Sequence, residues 1–176
     1  MKKNIKKWTK WGIVLIIIWG VLLHFVYEWS DENAIVGIFG AVNESTWEHL
    51  KLLFWPAFIF SIIEFMYIGK HYSKYITGKA ISFYVGILMI ITLFYTYTGI
   101  IGKNYVVVDI TIFIISVVIS QYIGYKIITA PFKIKGVINV ISVLAIILLI
   151  LAFVFFTFNP PHIPLFKDPK TGGYGI

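Results

Sequence analysis

Five stretches of this chain stay apolar for roughly the length of a membrane-crossing helix, and that length constrains the fold more than anything else in it. A helix needs ~20 residues to cross the ~30 Å hydrocarbon core of a bilayer. The stretches fall at about 10–29, 50–69, 80–101, 105–128 and 137–158. With no water to satisfy the backbone inside lipid, each must be a helix rather than an open strand. The expected fold is all-α, a polytopic membrane protein built as a bundle of about five transmembrane helices. Residues 1–176 read as a single transmembrane domain. Composition agrees: 59% of residues are hydrophobic and 13% charged, against about 25% charged in a soluble domain.

The lysines orient the bundle. There is no arginine, and the net charge of +7 comes from lysine alone. Lys2, Lys3, Lys6, Lys7, Lys10, Lys70, Lys74, Lys79, Lys126, Lys133 and Lys135 share one side, whereas only Lys51, Lys103, Lys167 and Lys170 share the other. Positive loops stay in the cytoplasm, so the N-terminus is expected inside and the C-terminus outside, in a multi-pass protein of the cell membrane. This distribution explains the basic charge without nucleic acid. The opening lysines and apolar run imitate a signal peptide, but no small-residue cleavage site precedes Glu28-Trp29, so the segment reads as a retained first helix.

Acidic residues contribute little to topology, so their distribution is independent information. Glu28, Asp31, Glu32, Glu44, Glu48 and Asp168 fall at the expected outer face, and Asp109 just inside it. Glu64 alone belongs to the inner half, where it could reach the interface or pair with Lys126. The apolar segment 34–42 is too short to span and reads as re-entrant or interfacial. The tail, 159–176, carries too much proline for a helix and enough Ile, Leu, Phe and Tyr to fold. It is expected to lie over the outer face as an irregular proline-rich lid, with a turn at Asp168-Pro169-Lys170-Thr171-Gly172.

The polar run Asn43-Glu44-Ser45-Thr46-Trp47-Glu48-His49 sits between two apolar stretches. Its plainest reading is a capping box: Ser45 caps a helix and Glu48 reaches back, with Trp47 and Trp55 as interfacial anchors. The functional reading adds neighbours. His24 and Glu28 are spaced i, i+4 and share a helix face. A helix beginning near Asn43 would put Glu44 and Glu48 on one face, with His49 beside them. Asp109 lies at a depth like that of His24, and the tail brings His162 near. Ionisable groups in membrane spans are costly and mark functional sites. His24, Glu28, Asn43, Glu44, Glu48, His49, Asp109 and His162 are therefore the candidate ligand or metal residues. Carboxylates with imidazoles suit a divalent metal such as Zn, Mn or Fe, and the same groups suit a small polar or cationic ligand. With no cysteine, thiolate chemistry is excluded.

The strings Tyr27-Glu28-Trp29, Asn33, Val36-Gly37, Val42-Asn43-Glu44-Ser45 and Trp47-Glu48-His49-Leu50-Lys51 together resemble a group of small bacterial multi-pass membrane proteins. The closing Pro160-Pro161-His162-Ile163-Pro164-Leu165-Phe166, Asp168-Pro169, Thr171-Gly172 and Tyr174-Gly175 look like that group's C-terminal signature. The group is an uncharacterised family, a domain of unknown function. The resemblance implies a membrane location, no particular activity, and an outer loop and tail that are distinctive.

The leading expectation is a protein that binds a metal ion or small polar ligand at this outer pocket, alone, as a homo-oligomer or with a membrane-protein partner. One rival is an intramembrane enzyme acting on a lipid or headgroup, with Glu48 or His49 as catalytic base. Another is a structural accessory subunit of a membrane complex. An odd number of spans and no inverted repeat argue against a transporter.

Overall fold

The computed structural model describes residues 2–176. Among them are six α-helices: α1 (Lys2–Trp29), a single turn α2 (Ala34–Gly37), α3 (Thr46–Tyr67), α4 (Tyr75–Ile101), α5 (Val106–Thr129) and α6 (Gly136–Phe158). Five of these, all but α2, are long and apolar enough to cross a membrane. No strand is present among the described residues, only an isolated bridge between Lys167 and Tyr174. In number, length and composition the helices are compatible with a multi-pass membrane protein.

Each apolar stretch corresponds to one long helix, but α1 begins eight residues early, α4 five and α3 four, and α3 ends at Tyr67, two residues short of the expected end. Hydropathy marks where a chain is apolar, whereas helical hydrogen bonding continues through lysines and serines wherever packing supports it. Early α4 shows this: Tyr75, Thr77, Lys79 and Ser82 are all buried against neighbouring helices.

α3 is the most enclosed helix and α1 and α6 the least. α1 packs on α3 and α5, while α4 packs on α3, α5 and α6. Phe54 of α3, Phe83 of α4 and Phe153 of α6 form the fully buried centre, with Phe54 5.5 Å from Phe83 and 4.9 Å from Phe153 between ring centroids. α4 and α5 approach most closely through small residues. A Cβ on Gly78 would lie 3.0 Å from the Gly124 carbonyl, and one on Gly124 would lie 3.0 Å from Ser82 Cβ. This is small-xxx-small packing, which substitutes backbone proximity for a hydrophobic driving force that lipid does not supply. Gly102, left-handed at φ 83°, ends α4 and lets α5 turn straight back.

Glu64 does not pair with Lys126. It binds Lys79 at 2.6 Å, and Tyr75 Oη donates to the same carboxylate oxygen at 2.8 Å. Lys79 also donates to Gln121 Oε1 at 3.2 Å, which ties α3, α4 and α5 into one buried polar network. Lys126 lies on an outward face of α5, over the Tyr122 ring.

α1 ends in two successive left-handed residues, Asp31 and Glu32. The chain then forms α2, capped by the Asn33 side chain, which accepts from the amides of Ile35 and Val36. Segment 34–42 lies against the ends of α1 and α3, with Gly37, Gly40 and Ala41 buried. Trp55 Nε1 donates to the Ile38 carbonyl at 2.9 Å. Trp47 and Trp55 are therefore core residues and not interfacial anchors, because the 34–42 segment and the tail cover them.

The tail leaves α6 at Asn159 and returns over the start of α3. Phe166 is buried on Trp47, with ring centroids 4.7 Å apart, and on Phe156 at 5.3 Å. Asp168 organises the turn: its carboxylate accepts from Lys170 N and Thr171 Oγ1, and its carbonyl from Gly172 N. The last residues are held by Asn43 Nδ2 donating to the Gly175 carbonyl and Ile176 N donating to the Thr157 carbonyl.

Candidate metal centre at the tail end of the bundle

Three elements bring one side chain each to the same point. His24 comes from the last third of α1, Glu44 from the connection before α3, and His49 from the first turn of α3. Glu44 Oε2 is 3.8 Å from His24 Nε2 and 3.6 Å from His49 Nε2. One ligand atom from each of the three lies within 4.8 Å of the others. The imidazole rings meet edge to face at 5.2 Å. All three side chains are about one-third exposed.

Local structure explains the convergence. Asn43 Oδ1 accepts from Ser45 N in a side-chain-closed turn, and Ser45 Oγ then accepts from Glu48 N to cap α3. Helix α3 therefore starts at Thr46, and Glu44 projects sideways ahead of it, toward α1. The first helical turn lets His49 Nδ1 meet the Ser45 carbonyl at 2.8 Å. A carbonyl only accepts, so Nδ1 carries the hydrogen. That leaves Nε2, the ring's other nitrogen, facing Glu44 Oε2.

Lys170 of the tail completes the setting by donating to Glu44 Oε1 at 2.9 Å. Burial raises the Glu44 carboxyl, but the Lys170 hydrogen bond and the two imidazoles outweigh it and hold the group below its ordinary value of 4.5. Glu44 is thus a carboxylate at neutral pH. Asp168 behaves alike: burial pushes it up, and the Thr171 hydroxyl with the amides around it brings it below the usual range.

The other candidates go elsewhere. Glu48 shares no face with Glu44, because Glu44 is not on the helix. Its carboxylate binds Lys51 at 2.6 Å and accepts from Val42 N at 3.0 Å. The reach-back half of the capping box therefore goes to Val42 rather than Ser45. Asp109 accepts from Tyr97 Oη and from Asn104 Nδ2, fastening the turn between α4 and α5. His162 stacks on Tyr174 at 4.4 Å. Glu28 is exposed, and Asn43 is occupied with the turn and the tail. Lys170, which carried no signal in the sequence beyond its charge, meets Glu44 across 126 positions of chain.

The model of the Family of unknown function (DUF6512) matches residues 1–176. The chain belongs to this family. The match covers every element described above, including the Glu44 connection and the tail. No curated protein and no solved structure matches the chain.

Two imidazoles and one carboxylate from separate elements are a donor set for a transition metal. Tetrahedral zinc with bonds of 2.0–2.2 Å has ligand atoms about 3.3 Å apart. The two His–Glu edges are 3.6 and 3.8 Å, and the edge between the imidazoles lies within 4.8 Å. Such a centre keeps a fourth position open to water or another ligand.

Proposed function

We propose that this chain is a multi-pass protein of the cell membrane, N-terminus inside, that binds a divalent transition metal between His24, Glu44 and His49 on its outer face. One observation carries the metal reading: three potential ligand atoms from three elements converge within 4.8 Å, with His49 Nδ1 held by the Ser45 carbonyl and Nε2 turned toward Glu44. Zinc suits the nitrogen and oxygen donors best, and Mn or Fe(II) fits the same two-histidine, one-carboxylate arrangement. Lys170 orients Glu44 through Oε1 and leaves Oε2 for the ion, the role that outer partners of metal ligands play. The bias of lysines toward the other end of the bundle supports the orientation.

Elemental analysis of the purified full-length protein tests the proposal. About one zinc, manganese or iron ion per chain is expected, as for a single three-ligand centre. His24→Ala, Glu44→Gln and His49→Ala should each lower the content, while His162→Ala and Asp109→Asn retain it. A protein free of metal that gains no thermal stability with added zinc, manganese(II) or iron(II) would overturn the reading. So would retention by all three ligand variants.

A further inference from the structure

We propose that the groove between α1 and α3 at the lysine-rich end is a binding site for one anionic phospholipid, with Lys7 on the headgroup phosphate and the acyl chain lying along Trp11, Leu15 and Phe60. The groove has a volume of about 390 Å³ and is lined by Lys7, Trp8, Trp11, Leu15 and Phe60. Lys7, Trp11 and Leu15 are spaced i, i+4, i+8 and so follow one face of α1, over about 12 Å of axis at 1.5 Å per residue. Their order is ammonium, amphipathic ring, aliphatic chain, running from the lysine-rich end into the apolar stretch. A phospholipid presents the same gradient over a similar depth.

The walls are preformed. A Cβ on Gly12 would lie 2.5 Å from the Phe60 ring, so the glycine is what admits Phe60 against α1. Trp8 is held between Tyr67, stacked at 5.5 Å, and Phe60 at 5.9 Å. A site that needs no ordering on binding loses less entropy when filled. No carboxylate lines the groove to oppose a phosphate. Trp11, Val14 and Ile18 are exposed along the same helix, so the groove opens toward the lipid side of the bundle. The ammonium and the apolar length together call for an amphiphile, and the positive charge of Lys7 favours an anionic one. Lys6 and Lys10 are also exposed on α1 but do not line the groove, which separates a site from diffuse attraction.

The inference rests on the membrane reading and not on the metal centre. Native mass spectrometry of the full-length protein, titrated with phosphatidylglycerol or phosphatidylcholine of matched acyl chains, tests it. One phosphatidylglycerol should be retained in preference to phosphatidylcholine. Lys7→Gln should weaken it about fivefold, the factor for about 1 kcal/mol per lysine near an anionic surface. Leu15→Trp should block it by filling the groove without changing charge, whereas Lys10→Gln should leave it unchanged. Equal retention of both lipids, or equal loss in Lys7→Gln and Lys10→Gln, overturns the site alone. Retention of neither lipid likewise overturns the site alone, whereas a chain that stays in solution without detergent overturns the membrane reading beneath it.

Discussion

Lys51 and Glu48 form a closed ion pair, with nitrogen and oxygen 2.6 Å apart and side chains 0% and 2% exposed. Lys51 also donates to the carbonyls of Gly37 at 2.8 Å and Gly40 at 3.4 Å, two groups that α2 leaves without helical partners. One turn of α3 thus holds the whole 34–42 segment in place, and that segment in turn covers Trp55. The pair assembles the surroundings of the candidate His24–Glu44–His49 site without belonging to it.

Removing one member of such a pair leaves an uncompensated buried charge. Lys51→Met should destabilise the protein by about 3–5 kcal/mol, while the double variant Glu48→Gln/Lys51→Met should recover part of the loss. Thermal unfolding in detergent, followed by tryptophan fluorescence, measures both. A double variant no better than the single one would mean that the carbonyl contacts of Lys51 matter more than its charge partner.

The contact between α4 and α5 separates glycines that packing requires from one that it does not. On Gly78, a Cβ would meet Ile128 Cγ1 at 2.5 Å and the Gly124 carbonyl at 3.0 Å, whereas nothing lies within 4 Å of one on Gly99. Gly78→Ala is expected to cost about 1–3 kcal/mol by overpacking. Gly99→Ala should instead gain up to about 1 kcal/mol from helix propensity. Unfolding midpoints of the two variants that moved in the same direction would argue against this close approach.

Much of the architecture was legible because lipid makes helix length and apolarity nearly synonymous. The start of α3 was readable from Ser45 and Glu48, as a cap is a local device. What escaped depends on rotational phase and on long-range docking. Glu64 faces two lysines at the same end of the bundle, and only the turning of α4 against α3 selects Lys79 over Lys126. Placing the start of α3 near Asn43 put Glu44 on the wrong surface, although the i, i+3 spacing of Glu48 and Lys51 did hint at their pairing. His24 and His49 were readable as candidate ligands near the expected outer face, but their convergence on Glu44 required the turn that Asn43 closes.

Absence of native cysteine makes the proposed orientation directly measurable. Thr171→Cys in the exposed tail turn should react with a membrane-impermeant maleimide added to intact cells. Lys70→Cys, exposed at the opposite end, should react only after permeabilisation. The reverse pattern would place the proposed metal site in the cytoplasm and overturn only its orientation.

Docking of the tail should depend on pH within a defined window. Glu44 lies below its ordinary value of 4.5 in the folded chain, so its contribution is present above that pH and is lost as pH falls through the lower folded value. The Glu44 hydrogen bond raises Lys170 above its ordinary 10.5, so its contribution is present below that pH and is lost as pH rises through the higher folded value. Asp168, also depressed from 3.8, adds a second loss on the acid side through the turn it organises. The tail should therefore stay docked from about pH 4.5 to 10.5 and loosen outside those limits. Backbone amides at Gly172 and Ile176, which donate to Asp168 and Thr157, report this by hydrogen exchange corrected for its intrinsic pH dependence. Lys170→Met should remove the alkaline limit and leave the acid loss through Asp168, which distinguishes the ion pair from general acid unfolding.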